Sequence, residues 1–160
     1  MKVQLVSDLH IERSKNNIRL TDYILPTGDI LVLAGDIGSM YRLRQLFDFL
    51  HQACQHFPLV IYVPGNHEYY KLYKMAPRSF STLEKAMCSF SLTHKNMHFL
   101  NRKTLQINNT IFIGATLWSN PKNFTNKIVK INGITHERYI TRHKLDKEFI
   151  IKSLENAKKN

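Results

Sequence analysis

Residues 30–36 read Ile-Leu-Val-Leu-Ala-Gly-Asp, a continuous apolar run that ends in a glycine and an acidic residue. A short run of this kind, rich in branched aliphatic residues, is typical of a strand buried on both faces. Residues 59–63, Leu-Val-Ile-Tyr-Val, form a second run of the same character, and Pro64 and Gly65 follow it. The sequence therefore predicts two buried strands at the centre of the fold.

A helix is predicted between these two runs. Its apolar residues recur at spacings of three and four, which places them on one stripe: Leu43, Leu46, Phe47, Leu50, Cys54 and Phe57. Ser39 is the expected N-cap, and Pro58 ends the helix. A strand, a helix and a second strand in this order predict a parallel sheet with a right-handed crossover.

The same patterns predict the remaining elements. Residues 2–7 are expected to form a strand, and a second helix spans about 80–90 with Ser81 and Glu84 as its capping box. Further strands are expected at 97–100, 105–107 and 110–115, with a hairpin turn at Asn108-Asn109. Residues 118–135 are interpreted as an irregular loop. The last helix is expected from about Thr141 and should direct four residues inward: Leu145, Phe149, Ile150 and Leu154.

Length and composition indicate one soluble globular domain over residues 1–160. No apolar run approaches the roughly 18 residues that a membrane helix needs. The first strand begins at once and is followed by the candidate ligand Asp8, so removal of a leader peptide would remove both. We therefore expect a cytoplasmic protein, in which Cys54 and Cys88 are small buried apolar residues rather than a disulfide.

The net charge is +11, and the basic excess is concentrated after residue 100. A basic surface attracts partners that carry phosphate, including nucleic acid. The lysines are scattered rather than clustered, so an ordinary solvated face is the favoured interpretation.

Three short motifs come directly after three of the predicted strands. They are Asp8-Leu9-His10, Gly35-Asp36 and Gly65-Asn66-His67-Glu68. In open α/β sheets, ligands bind beyond the carboxyl ends of the strands, so we expect the three motifs to meet at one edge. Asp8 and His10 are two residues apart, which in a strand directs both side chains to one face. A carboxylate and an imidazole together suit a divalent ion such as Mn²⁺, Fe²⁺ or Zn²⁺.

The second and third motifs add further donors. The Asp36 carboxylate has two oxygens and is the candidate bridge between two cations. Asn66 offers an amide oxygen, and His67 offers a proton donor. Gly65 permits the tight turn that would present both side chains.

Taken in this order, the three motifs resemble the first three motifs of the calcineurin-like metallophosphoesterase superfamily. Four longer segments are similar to a bacterial branch of predicted phosphohydrolases: SDLHIE (7–12), ILVLAGDIG (30–38), VPGNHEYY (63–70) and FIGATLWSN (112–120). The resemblance implies an α/β sandwich of two mixed sheets flanked by helices. It also implies a metal-dependent phosphoesterase that hydrolyses a phosphate mono- or diester through a metal-activated water.

The resemblance also implies a role for each motif residue. Asp8 and His10 would bind one metal, Asn66 would bind the other, and Asp36 would bridge them. His67 would protonate the leaving oxygen or stabilise its charge, and Glu68 is expected to be a structural support. The expected cofactor is Mn²⁺, with Fe²⁺, Zn²⁺ or Ni²⁺ as alternatives.

Two departures from the family pattern limit this interpretation. Family members continue with a strand that carries a histidine and then a Gly-His-x-His motif, whereas no Gly-His pair occurs in this chain. We therefore expect a domain that is truncated at its C-terminus, with a weak second metal site. In addition, Ser39 stands where the Ser/Thr-phosphatase branch has an aspartate, which disfavours a protein phosphatase.

The missing ligands leave an alternative function open. The chain could be a catalytically impaired binding or regulatory domain, or a remnant of the fold, that contacts nucleic acid through its basic C-terminal third. Missing strands would also expose a sheet edge or an apolar face, which predicts a homodimer. The sequence leaves open whether Tyr69, Tyr70 and Trp118 line a substrate pocket or pack in the core. Six other histidines are not expected to bind metal: His51, His56, His94, His98, His136 and His143.

Overall fold

The structure is a computed structural model that describes residues 1–14, 17–120 and 131–158. Its strands are β1 (Val3–Val6), β2 (Ile30–Ala34), β3 (Leu59–Val63), β4 (Met97–Phe99), β5 (Lys103–Ile107) and β6 (Thr110–Gly114). Its α-helices are α1 (Leu43–His56), α2 (Phe80–Leu92) and α3 (His136–Ala157). In the described ranges no helix is both long and apolar enough to cross a bilayer.

The first four strands form one sheet in the order β1-β2-β3-β4, and every neighbouring pair is parallel. Helix α1 connects β2 to β3, and α2 connects β3 to β4. This arrangement confirms the predicted strand–helix–strand unit. Because all four strands run the same way, their carboxyl ends lie along one edge of the sheet.

The two faces of this sheet have different partners, as the alternation of side chains along a strand requires. Leu31 and Tyr62 lie in the main core, which also contains the buried faces of α1 and α2. Ile30 and Ile61 face the other side, where residues of the antiparallel β5–β6 hairpin pack against them. The predicted α/β class with two sheets and flanking helices is confirmed, although one sheet is wholly parallel and the other antiparallel.

Helix α1 has the predicted apolar stripe but a different beginning. It buries Leu46 and Leu50 and begins at Leu43, with no side-chain cap at Arg42. Ser39 was expected to cap the helix. Instead its hydroxyl accepts the Tyr41 backbone N–H at 3.1 Å in the preceding turn, so that prediction was wrong.

Helix α2 is capped by Ser79, whose hydroxyl accepts the Thr82 backbone N–H at 3.1 Å. The predicted capping box of Ser81 and Glu84 was therefore wrong. Glu84 instead accepts a hydrogen bond from the Tyr69 hydroxyl at 3.2 Å, which connects α2 to the turn after β3.

Helix α3 begins at His136, earlier than the predicted Thr141, and Thr135 caps it. The two leucines that were expected to point inward, Leu145 and Leu154, are 46% and 49% exposed. Asp146 is fully buried in their place. Its carboxylate accepts hydrogen bonds from Arg102 at 2.8 Å and from the Leu117 backbone at 2.9 Å, and these bonds fix the rotation of the helix.

The connecting segments partly agree with the predictions. The hairpin turn at Asn108-Asn109 is confirmed, and Asn108 has the positive φ of 51° that such turns favour. Within the predicted loop 118–135, residues 121–130 lie outside the described residues. Ile131 and Ile134, which follow them, are buried in the core.

Candidate metal centre

The first two motifs lie side by side because the β1–β2 pairing continues beyond both strands. The Asp8 backbone N–H donates to the Gly35 carbonyl at 3.1 Å, and the His10 N–H donates to the Asp36 carbonyl at 3.0 Å. These bonds hold the first loop against the second, as the sequence predicted for motifs at neighbouring strand ends.

The third motif approaches the second so closely that Gly65 has no room for a side chain. A Cβ atom at Gly65 would lie 2.1 Å from the Asp36 Oδ1 atom. The same Oδ1 atom accepts the His67 backbone N–H at 3.0 Å. Gly35 adopts a φ of 84°, and a Cβ there would lie 3.0 Å from the Gly65 Cα. The two glycines therefore allow the loops to touch backbone to backbone.

Three candidate ligands have left-handed backbone conformations. The φ angles are 57° at Asp8, 49° at His10 and 55° at Asp36. A residue other than glycine in this region costs on the order of 1–3 kcal/mol, and such residues concentrate at functional sites. Three such residues on two adjacent loops indicate that backbone strain is stored here and that it sets the direction of these side chains.

The aimed side chains converge. Asp8, His10 and Asp36 each contribute one ligand atom to a group in which all atoms lie within 4.8 Å of one another. Asp8 is exposed, and the other two are half-buried. Two carboxylates and one imidazole form a donor set that fits a first-row divalent ion.

Asn66, the fourth candidate ligand, is half-buried on the third loop. Its amide nitrogen donates to the Tyr70 hydroxyl at 2.8 Å. This bond assigns the nitrogen to tyrosine and leaves the amide oxygen as the atom suited to a cation.

A second group of potential ligands adjoins the first and shares His10 with it. One atom each of His10, Glu12 and His67 lie within 4.8 Å of one another, and the two imidazole rings meet edge to face at 4.7 Å between centroids. Sequence reasoning missed Glu12. The signal was present in the Asp8-x-His10-x-Glu12 spacing, in which a third metal-type side chain follows the first two.

Glu68 is fully buried and connects the second and third loops with β3. Its carboxylate accepts backbone N–H groups from Asp36 at 3.0 Å, Ile37 at 2.8 Å and Gly65 at 2.9 Å, and the Tyr62 hydroxyl at 3.0 Å. Burial and the nearby Asp36 charge raise the pKa of Glu68 to about 8, against the opposing effect of the backbone donors. The geometry is that of a structural support.

A cleft of about 780 Å³ opens beside this group, lined in part by Glu12, His67 and Tyr70. Tyr70 stacks on the His67 ring with centroids 4.4 Å apart. Arg13, Lys71 and Lys74 also line the cleft, so its charge is mainly positive.

The sequence left open whether Tyr69, Tyr70 and Trp118 line a pocket or pack in the core. Of these three residues, Tyr70 lines this cleft. Tyr69 and Trp118 are 1% and 2% exposed and pack in the core. Among the described residues, the groups of three or more acidic, histidine or cysteine side chains close enough to share an ion are the two described above. The other histidines have different contacts; His51 and His94, for example, meet at 2.9 Å on the surface.

A sequence model of the calcineurin-like phosphoesterase family matches residues 1–159, and the chain belongs to this family. The match confirms the resemblance drawn from the motifs.

Individual proteins are also similar to this chain. An uncharacterized protein of Acanthamoeba polyphaga mimivirus is 34% identical over 129 residues, covering 74% of this chain and 44% of that protein. The crystal structure of a phosphopantetheinyl hydrolase from Mycobacterium tuberculosis shares the fold, with a TM-score of 0.58 and 18% identity. That match covers 97% of this chain and 62% of the hydrolase chain. The chain thus spans less than two thirds of the length of either protein.

Proposed function

We propose that this chain is a metal-dependent phosphoesterase that hydrolyses a phosphate mono- or diester. The supporting observation is the convergence of Asp8, His10 and Asp36, with ligand atoms within 4.8 Å, in a chain of the calcineurin-like phosphoesterase family. The hydrolase with the same fold supports the class of reaction, while its own substrate is a property of that protein.

In this proposal Asp8, His10 and Asp36 hold one divalent ion, and Asp36 and Asn66 contribute to a second. Mn²⁺ is the favoured ion, because carboxylate and amide oxygens outnumber the single imidazole, with Fe²⁺, Zn²⁺ or Ni²⁺ as alternatives. The ions would supply a Lewis acid for the phosphoryl oxygens and would lower the pKa of a water enough for it to attack phosphorus.

His67 is the proposed proton donor to the leaving oxygen. Its backbone is tied to Asp36 at 3.0 Å, and its ring lies between His10 and Tyr70. These contacts leave the imidazole half-buried at the wall of the cleft, where it borders both the candidate metal ligands and the space for a substrate. A general acid needs such a fixed position more than it needs any particular neighbour.

The cleft would hold the rest of the substrate. Arg13, Lys71 and Lys74 favour an ester whose other groups are anionic, because opposite charges attract and steer the ligand. The tyrosine at position 70 offers a flat surface next to the reacting group.

The alternative function is a binding or regulatory domain without turnover, in which nucleic acid would contact the basic residues after position 100. This alternative is favoured because we expect the chain to offer a second ion only two protein ligands, Asp36 and Asn66. Two ligands would bind that ion weakly. Homodimer formation and a cytoplasmic location also remain predictions from the sequence.

The proposal is tested by measuring Mn²⁺ binding calorimetrically and hydrolysis of p-nitrophenyl phosphate and its bis-ester with Mn²⁺ present. Asp36→Ala should lose metal binding and activity, and His67→Ala should lose activity with metal binding largely retained. Equal background rates of hydrolysis in the wild type and both variants would contradict the proposed phosphoesterase activity. Tight metal binding without turnover, together with a salt-sensitive shift of labelled RNA or DNA, would support the alternative.

A further inference from the structure

Glu12 lies against His10 in an unusual hydrogen-bonding state. One carboxylate oxygen, Oε1, is 3.2 Å from the His10 Nδ1 atom. The other oxygen, Oε2, is buried and has no hydrogen-bond partner among the described residues. The side chains of Glu12 and His10 are only 11% and 17% exposed, so solvent does little to compensate. A buried carboxylate with an unpaired oxygen is costly unless a positive charge is near.

The position of Glu12 is imposed by its neighbours. The preceding residue, Ile11, is 1% exposed in the core, and its backbone N–H donates to the Ile37 carbonyl at 2.9 Å. The Glu12 carbonyl accepts a hydrogen bond from the Arg42 guanidinium at 2.8 Å. These contacts fix the backbone of Glu12, and its side chain, which is only 11% exposed, is packed beside His10.

We propose that Glu12 is a positioning residue that fixes the tautomer and the orientation of His10. An imidazole that donates its Nδ1 proton to a carboxylate carries no proton on Nε2, so Nε2 can bind a cation. The carboxylate also makes the ring a better donor, and such partners contribute about 10- to 100-fold to metal affinity. This inference rests on the proposed function, since it assumes that His10 binds a divalent ion.

A purely structural role for Glu12 makes a different prediction. If the contact only held the first loop in place, its removal would lower the stability of the metal-free protein and leave the affinity of the folded protein unchanged. The positioning role predicts a loss of affinity that exceeds any loss of stability. The two roles are therefore separable by measuring both quantities on the same variants.

The experiment compares the Mn²⁺ affinity and the metal-free melting temperature of the wild type, Glu12→Ala and Glu12→Gln. Glu155→Ala is the matched control, because it removes the same charge from an exposed position on α3. Glu12→Ala should weaken Mn²⁺ binding by about 10- to 100-fold. Glu12→Gln keeps an acceptor for His10 Nδ1 and should lose less, and Glu155→Ala should bind as the wild type does.

The possible results are distinct. A wild type that binds no Mn²⁺ would contradict the proposed function itself. A wild type that binds, with Glu12→Ala folded and equal in affinity, would overturn the positioning role alone. If Glu12→Ala does not fold, nitrogen-15 NMR of metal-free wild type decides: a proton on His10 Nδ1 supports the inference, and a proton on Nε2 overturns it.

Discussion

The Asp36 side chain accepts the backbone N–H of His67 through its Oδ1 atom, at 3.0 Å. The residue proposed to bridge two cations thus also places the residue proposed to donate the proton. Because the Asp36 carboxylate is both a candidate metal ligand and the acceptor for the His67 backbone, a change that displaces Asp36 should disturb both metal binding and the position of His67. Gly65, whose missing side chain leaves space for this oxygen, is the position where that dependence can be tested.

Gly65→Ala should destabilise the protein and abolish Mn²⁺ binding. The new Cβ would lie 2.1 Å from Asp36 Oδ1, and the Asp36 backbone nitrogen, at 2.6 Å, prevents a simple shift. Overpacking of this kind typically costs about 1–3 kcal/mol. Urea denaturation and calorimetry would measure the two effects.

Gly133→Ala is a suitable control for that variant. Gly133 has a φ of 67°, but the nearest atom to a new Cβ is 3.7 Å away. It should therefore lose about 1–2 kcal/mol from backbone strain and keep its metal affinity. Normal Mn²⁺ binding by Gly65→Ala would show that the contact between the second and third loops does not shape the site.

Glu68→Gln should destabilise the fold although it is nearly the same size. The two Glu68 oxygens together accept hydrogen bonds from four donors, and the amide nitrogen of glutamine would face two of them as a donor itself. Leaving a buried donor without its acceptor costs about 1–3 kcal/mol. We expect a fall of about 2–4 kcal/mol in the free energy of unfolding.

The matched control for Glu68→Gln is Glu148→Gln, at an exposed position in the middle of α3. Its unfolding free energy should change by less than about 0.5 kcal/mol, as is usual for surface substitutions. A Glu68→Gln protein as stable as this control would mean that the buried carboxylate is not the tie between the loops.

The positive cleft predicts a preference among substrates. If the wild type hydrolyses both p-nitrophenyl phosphate and adenosine 3′,5′-bisphosphate, the double variant Lys71→Gln/Lys74→Gln should raise the KM for the bisphosphate about tenfold, which corresponds to about 1.4 kcal/mol. The KM for p-nitrophenyl phosphate, which has no second phosphate, should change much less. Steady-state kinetics at two salt concentrations would measure both, since salt should weaken the preference.

Lys144→Gln/Lys147→Gln, at exposed positions on α3, removes the same charge away from the cleft. It should leave both KM values unchanged. Equal effects of the two double variants would assign the preference to overall charge and exclude a specific contribution of the cleft.

The Cys54 thiol should react unusually slowly at moderate pH. Burial raises its pKa to about 11, and only the thiolate is nucleophilic. In a Cys88→Ser background, the rate of iodoacetamide labelling of the folded protein should keep rising as the pH approaches 11. After unfolding in urea, the rate should be half-maximal near the ordinary thiol pKa of about 8.5 and should level off above it. A half-maximal rate near that pH in the folded protein would contradict the raised pKa.

The parts of the structure that follow from local patterns were predictable. The apolar runs at 30–34 and 59–63 predicted β2 and β3, and parallel strands with motifs at their carboxyl ends predicted that Asp8 and Asp36 would meet. The left-handed conformation of Asp36 has no such local signal, because it reflects the approach of Gly65 from another loop.

Long-range polar contacts and local turns explain why the sequence did not predict the orientation of α3 or the role of Glu12. The rotation of α3 about its axis depends on the hydrogen bond between Asp146 and Arg102, which are 44 residues apart in the sequence. The spacing of apolar residues cannot predict that a carboxylate will be buried. The environment of Glu12 similarly depends on a short 3-10 turn from Ile11 to Arg13, which follows the left-handed His10. A pattern interpreted with strand alternation cannot locate a side chain beyond such a turn.

The β1 edge of the sheet carries the homodimer prediction. Among the described strands β1 pairs only with β2, and Val3 and Leu5 are 44% and 68% exposed. Their partners in the register, Ile30 and Val32, belong to the face on which the β5–β6 hairpin packs. An exposed apolar edge strand invites pairing with a second chain. Light scattering after size exclusion should therefore detect a dimer.

Leu5→Lys should convert that dimer into a monomer, because a charge on an edge strand is costly to bury between two chains. Leu92→Lys is the matched control: Leu92 is 87% exposed at the end of α2, away from the edge, so its dimer should persist. A wild type that is monomeric at all concentrations would remove the prediction. A dimer unaffected by Leu5→Lys would instead place the interface on another surface, and the exposed β1 edge would then need a different explanation.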